Sequence, residues 1–174
     1  MVKPNPLARQ VKARQATAMF RKLLSISLLI GVFWITAALA QSSPEEVYFE
    51  KDRLVIETLE GKRFAFTIEL AITPKQQARG LMYRRGMAAD SGMLFITDTP
   101  REISMWMKNT FIPLDMLFVD GQGVIVKIAS GTVPHSLETV ASGQAVKAVL
   151  EINAGVSEQL GITEGSRLLY PTFE

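Results

Sequence analysis

The side chains able to do chemistry in this 174-residue sequence gather in three stretches. Arg79, Arg84 and Arg85 stand around Gly80 and Gly86. A glycine-flanked arginine cluster can grip a phosphate or carboxylate through its planar donor fork. The plainer reading is a helix end with solvated charges. The second stretch is Trp106-Met107-Lys108-Asn109-Thr110. In an extended conformation Trp106 and Lys108 point to one side, Met105 and Met107 to the other. With the methionines toward the core, an aromatic ring lies beside an ammonium, a pair suited to an anionic or sugar-like ligand. Alternatively Lys108 lays its stem along Trp106, and Asn109 and Thr110 build a turn into Pro113.

The third stretch is a pair of carboxylates in apolar runs, Asp115 after Pro113-Leu114 and Glu151 between Leu150 and Ile152. A carboxylate entering a core strand is costly unless paired. Lys108 and Arg79 are the natural partners for Asp115, so Arg79, Lys108, Asn109 and Asp115 are expected to converge. Strand alternation alone can turn Glu151 to solvent. Three readings stay open for Arg79, Trp106, Lys108, Asn109, Asp115 and Glu151. The first is a module that binds a small ligand or a protein. The second is a hydrolase or transferase using Asp115, Glu151 and Lys108 in acid/base roles. The third is a structural ion-pair network in an accessory domain without a pocket.

Other chemistries are disfavoured. His135, the only histidine, follows Pro134 in a polar loop. A triad built on it would need Ser130, Ser136 or Ser142, and no Gly-x-Ser-x-Gly elbow is present. One histidine excludes a two- or three-histidine metal site. The absence of cysteine removes disulfides, thiol nucleophiles, thiolate metal ligands and a lipid-modified cysteine. The Gly-rich loops match no phosphate-binding signature, and no cofactor or metal is expected.

Many short elements must carry these residues. Leu54–Thr58 and Arg63–Leu70 flank Glu60-Gly61, with Phe64, Phe66, Ile68 and Leu70 at period two, which predicts a hairpin. Thr73-Pro74-Lys75-Gln76 is a helix start, with Thr as cap and Gln three residues on. That helix is expected to reach about Met82 and stop near Gly86. Strands are expected at Gly92–Thr97, Glu102–Lys108, Asp115–Val119, Val124–Ala129, Ala145–Ile152 and Arg167–Tyr170. Asp120-Gly121 marks a hairpin, residues 131–144 an exposed loop, and Val156–Leu160 a short helix ended by Gly161. The sum is a mainly β domain, a jelly-roll-like β-sandwich or partly closed barrel with one or two short helices.

Four segments carry a likeness. They are Arg79-Gly80-Leu81-Met82-Tyr83-Arg84, Gly92-Met93-Leu94-Phe95, Trp106 through Asp115, and Ala148 through Gly155 followed by Gly161-Ile162-Thr163-Glu164-Gly165. In order and spacing the chain resembles the prokaryotic domain-of-unknown-function family 192, over roughly residues 50–170. The resemblance implies a compact jelly-roll-like β fold, often exported. It implies no activity and no catalytic residues.

Residues 1–40 hold six Lys and Arg and no acidic residue, and end in an apolar run from Leu23 to Ala38-Leu39-Ala40. Basic flank, apolar run and small-x-small exit are the parts of a secretory signal peptide. The alternatives are an uncleaved anchor and a buried helix. The 18 residues of the run, at about 1.5 Å each, reach roughly 27 Å against a ~30 Å hydrocarbon core. Met19 offers a second, more compact start. Of the 19 Lys and Arg, 13 remain after Ala40 against 17 Asp and Glu, a balance of −4. Nucleic-acid binding, which needs clustered positive charge, loses its support there. The expected organisation is a signal at 1–40, a linker at 41–46 and one β-rich domain at 47–174. It would be periplasmic, meeting the membrane only through residues 23–40 if these stay attached. N-terminal sequencing of the processed protein is expected to begin at Gln41. Intact Leu23–Ala40 in washed membranes would leave the anchor.

Overall fold

The computed structural model describes residues 47–173; the expected export segment and linker lie outside them. Nine strands and two short helices follow in order. They are β1 (Lys51–Glu57), β2 (Arg63–Ala71), α1 (Pro74–Arg79), β3 (Ser91–Arg101), β4 (Ser104–Met105), β5 (Leu114–Val119), β6 (Ile125–Ala129), β7 (Val140–Ala141), β8 (Val146–Asn153), α2 (Val156–Leu160) and β9 (Arg167–Leu169). Seven strands form one curled sheet in the order β6-β5-β8-β3-β2-β1-β9, and β4 pairs with β7.

The β1–β2 hairpin pairs Leu54 with Phe66 and Ile56 with Phe64, as the period-two pattern demands. Strand β2 then runs parallel to β3, with Leu70 opposite Leu94. Parallel neighbours need a crossover, and α1 lies in it. Its cap is reciprocal: Gln76 N–H donates to Thr73 Oγ1 at 3.2 Å, and Thr73 N–H to Gln76 Oε1 at 2.9 Å. The helix ends at Arg79, earlier than expected, because Gly80 adopts φ 46 and its N–H turns back to Gln76 O at 2.8 Å. Gln77 donates to Ile96 O at 2.8 Å and so moors α1 to β3.

The sheet curls until its edges meet. Leu168 N–H donates to Gly123 O at 2.8 Å, Ile125 N–H to Ser166 O at 2.9 Å and Gly165 N–H to Ile125 O at 2.8 Å. This seam makes the mainly β fold a partly closed barrel. Gly123 is required there: its φ is 81, and a Cβ would lie 2.6 Å from Leu168 O.

The barrel interior is filled by Leu54, Phe66, Ile68, Leu94, Leu117, Leu150, Ile152 and their neighbours. The outer face of β3, β8 and β5 carries Met93, Phe95, Val149, Met116 and Phe118, roofed by Leu81, Ile103 and Met107. Consequently all six residues of β5 are buried.

Two further expected elements differ. The strand expected at Glu102–Lys108 is only Ser104–Met105, because Met107 N–H instead donates to Ser136 O and Thr110 N–H folds back to Met107 O. Met107 is nonetheless buried, with Trp106 and Lys108 outside. Residues 131–144 are not simply an exposed loop. They hold β7, and Thr132 and Ser142 are buried against Leu114 and Ile103 by hydrogen bonds.

Asp115 is fully buried, and its partners are not cations. Oδ1 accepts Gly131 N–H at 2.9 Å; Oδ2 accepts Gly155 N–H at 3.0 Å, Ser157 N–H at 3.1 Å and the Ser157 hydroxyl at 2.5 Å. Four donors held by two turns satisfy a carboxylate without an ion pair. The expected pairing with Lys108 or Arg79 is therefore replaced by a clasp joining β5 to the turn after β6 and to the start of α2. Asp115→Ala is expected to cost about 3 kcal/mol or more in urea unfolding, since it strands several buried donors. Combined with Ser157→Ala the losses will be non-additive; combined with Lys108→Ala they will add. Coupling to Lys108 would restore the ion pair.

Candidate functional site

Cross-strand partners share a face, and that separates the two carboxylates. Asp115 lies opposite Ile152, which belongs to the barrel interior, whereas Glu151 lies opposite both Met116 and Met93 on the outer face. Glu151 is not turned to solvent: it is 4% exposed, because the outer face of β8 is itself roofed. Its carboxyl takes no hydrogen bond or ion pair from the described residues, yet none of its oxygens is sealed away as an unsatisfied buried atom. It opens instead into a cavity of about 180 Å³. Burial, with no charge near enough to offset it, pushes this carboxyl up to about 8.

Glu151 and Phe95 are the buried floor, Met82, Met105 and Thr110 are walls, and the exposed Arg79, Arg101 and Trp106 stand at the mouth. Arg79 is brought there by the last turn of α1, Arg101 by the end of β3, and Trp106 by the chain leaving β4. A Cβ at Gly92 would lie 2.7 Å from Glu151 O, so only glycine lets β3 pass this close to β8.

The mouth is built on three loops that interlock. Tyr83, Asn109 and His135 are the only non-glycine residues at positive φ among the described residues, at 68, 56 and 63. Such conformations cost of order 1–3 kcal/mol each and persist only where surroundings enforce them. Here Tyr83 N–H donates to Asn109 O at 2.8 Å, Asn109 Nδ2 to Tyr83 Oη at 2.9 Å, and His135 N–H to Thr110 O at 3.1 Å. Arg79 lies 4.7 Å over the Tyr83 ring, and Tyr83 meets Phe111 edge-on at 6.3 Å.

Residues 55–170 match the family of uncharacterized ACR proteins known as domain of unknown function 192. The chain belongs to that family. Among solved structures it is similar to a candidate transcription regulator from Sinorhizobium meliloti. That likeness has 47% identity, a TM-score of 0.70 and coverage of 71% of this chain and 96% of that one. It is also similar to a protein of unknown function from Novosphingobium aromaticivorans, with 31% identity, a TM-score of 0.67 and coverage of 75% and 98%. No curated protein gives a match.

Within this family-192 domain the six candidate residues fall in four places. Arg79, Trp106 and Glu151 line the cavity. Lys108 lies outside it, with Nζ 5.2 Å from the Trp106 ring. Asn109 serves the loop scaffold, and Asp115 sits on the opposite face of the sheet. The expected convergence of Arg79, Lys108, Asn109 and Asp115 therefore does not occur. Arg84 and Arg85 are engaged elsewhere, Arg84 with the Glu69 carboxylate and Arg85 5.6 Å from the Phe111 ring. His135 stacks on Phe111 at 5.0 Å. Phe95, Arg101 and Thr110 were not foreseen as cavity residues. Phe95 and Thr110 lie in family motifs, whereas Arg101 carries no sequence signal.

A larger and more open hollow, about 350 Å³, lies between Phe64, Phe66, Val156 and Leu160 and contains no buried titratable group. Among the described residues no three of His, Cys, Asp and Glu gather as metal ligands.

Because Glu151 holds its proton more tightly folded than unfolded, the folded state binds the extra proton between about 4.5 and about 8. Stability is therefore lost as pH rises through that window. Glu151→Gln is expected to flatten this slope and stabilise the domain above pH 8, as read by urea unfolding across that range. An unchanged slope would mean that Glu151 does not titrate there.

Proposed function

We propose that this domain is a binding module of the cell envelope that takes a small polar ligand into the cavity over Glu151. One observation carries the reading: a buried carboxyl with no partner among the described residues opens into a cavity. An apolar substitute there would remove a desolvation cost of several kcal/mol. A concave site with a few convergent polar groups and one strongly shifted titratable group is the usual form of a ligand site. Arg79 and Arg101 give the mouth a positive character that suits an anionic group, and Trp106 offers a flat wall. The envelope location rests on the basic flank, apolar run and Ala38-Leu39-Ala40 exit.

The hydrolase or transferase reading loses its basis, since Asp115 and Glu151 occupy opposite faces of the sheet and Lys108 lies outside the cavity. The regulator description of the Sinorhizobium meliloti protein gains no support from charge, with 17 acidic against 13 basic residues after Ala40.

Native mass spectrometry of the full protein purified from its own periplasm tests the reading. The wild type is expected to carry a co-purifying small molecule that Glu151→Gln does not retain. Wild type and variant both bare, with no thermal shift from a metabolite library, would reject it.

A further inference from the structure

We infer that the ligand is a small zwitterion, an amino acid or a close analogue, bound with its ammonium group against Glu151 and its anionic group at Arg79 and Arg101. This deepens the cavity reading above and rests on it.

The argument is the order of charges along the cavity. The carboxyl lies at the floor and the guanidinium-bearing residues at the mouth, and no ion pair joins them. Acid and base in direct contact would neutralise one another and leave nothing to recognise. Held apart, they match a molecule whose positive end enters first and whose negative end stays outermost. The floor suits a cation in other respects. Phe95 supplies aromatic surface there, which attracts an ammonium. Met93 and Met116 flank Glu151 across the sheet and add no competing charge.

The other groups facing Glu151 leave the assignment unchanged. From α1 comes Arg79, from the end of β3 Arg101, from β5 only Met116, and from the roof Leu81, Met82 and Ile103. Glu69 occupies the same cross-strand row one strand beyond Met93, but the Arg84 fork engages both its oxygens. Asp115 faces the barrel interior. Among the described residues Glu151 is thus the one carboxyl at the floor open to an incoming ammonium.

Binding has a proton balance. The ligand arrives with its ammonium already protonated, and the nearby positive charge favours the ionised form of Glu151. The carboxyl passes its proton to the buffer, and a carboxylate–ammonium pair remains.

Isothermal titration of the full protein with the twenty common amino acids, at pH 7 in buffers of different ionisation enthalpy, tests this. The best binder is then compared with its deaminated acid and its decarboxylated amine. The parent is expected to bind at least tenfold more tightly than either and to release close to one proton. Glu151→Gln should weaken the parent at least tenfold and leave the deaminated acid unchanged. Arg101→Ala, on an exposed side chain, should weaken parent and acid together and spare the amine, which keeps the test decisive should Glu151→Gln fold poorly. If the deaminated acid binds as tightly as the parent, to wild type and Glu151→Gln alike and without proton release, the zwitterion is overturned and the cavity reading stands. If no amino acid binds, the zwitterion is overturned, and the co-purification experiment decides the cavity reading separately.

Discussion

Strands β3, β8 and β5 must be buried on both faces, and much of the domain is arranged to meet that demand. The interior is closed by curling the sheet. Among the described residues the outer face is roofed by a short helix, the two-stranded β4–β7 sheet and three loops. Loops over a core carry backbone polar groups that need partners. This explains why these loops bond to one another and accept left-handed residues at Tyr83, Asn109 and His135. A roof of loops packs less completely than a sheet, and the cavity is the space it leaves.

The same demand gives the two buried carboxylates opposite fates. Asp115 enters the interior where two turns present amides, and it becomes a structural clasp with every oxygen engaged. Glu151 enters the outer layer where the roof presents thioethers and rings, and it takes no partner from the described residues. Their positions in sequence look alike, each an acid inside an apolar run. One-residue differences in register separate them, because adjacent positions on a strand face opposite sides.

This marks the limit of what the sequence discloses. The β1–β2 hairpin, the capping box at Thr73, the Asp120-Gly121 turn and the Gly161 helix stop were legible because each rests on neighbouring residues. The cost of burying Asp115 was legible too, but its partners were not: backbone amides of Gly131, Gly155 and Ser157 leave no trace in residue type. The parallel β2–β3 pairing and the roof over β8 depend on distant contacts, so Glu151 could be read as solvent-facing. Trp106 and Arg79 were found through their motifs, and Arg101 was visible only once β3 had been traced to its end. The six methionines of the described residues all lie on the roofed side, at 82, 87, 93, 105, 107 and 116. Flexible thioethers suit a layer built from irregular loops, because they fill uneven gaps.

The seam between β6 and β9 bears on how the chain reaches its shape. Strand β9 has three residues near the end of the sequence and pairs with β1 near the start of the domain. Tyr170 donates from its hydroxyl to Asp52, 118 residues earlier. During synthesis the sheet can assemble as far as β8, but its outer edges stay unmet until the final strand emerges. Ring closure is thus a late, long-range event, of the kind that slows folding. Until then β1 presents an unpaired edge to any other extended chain nearby.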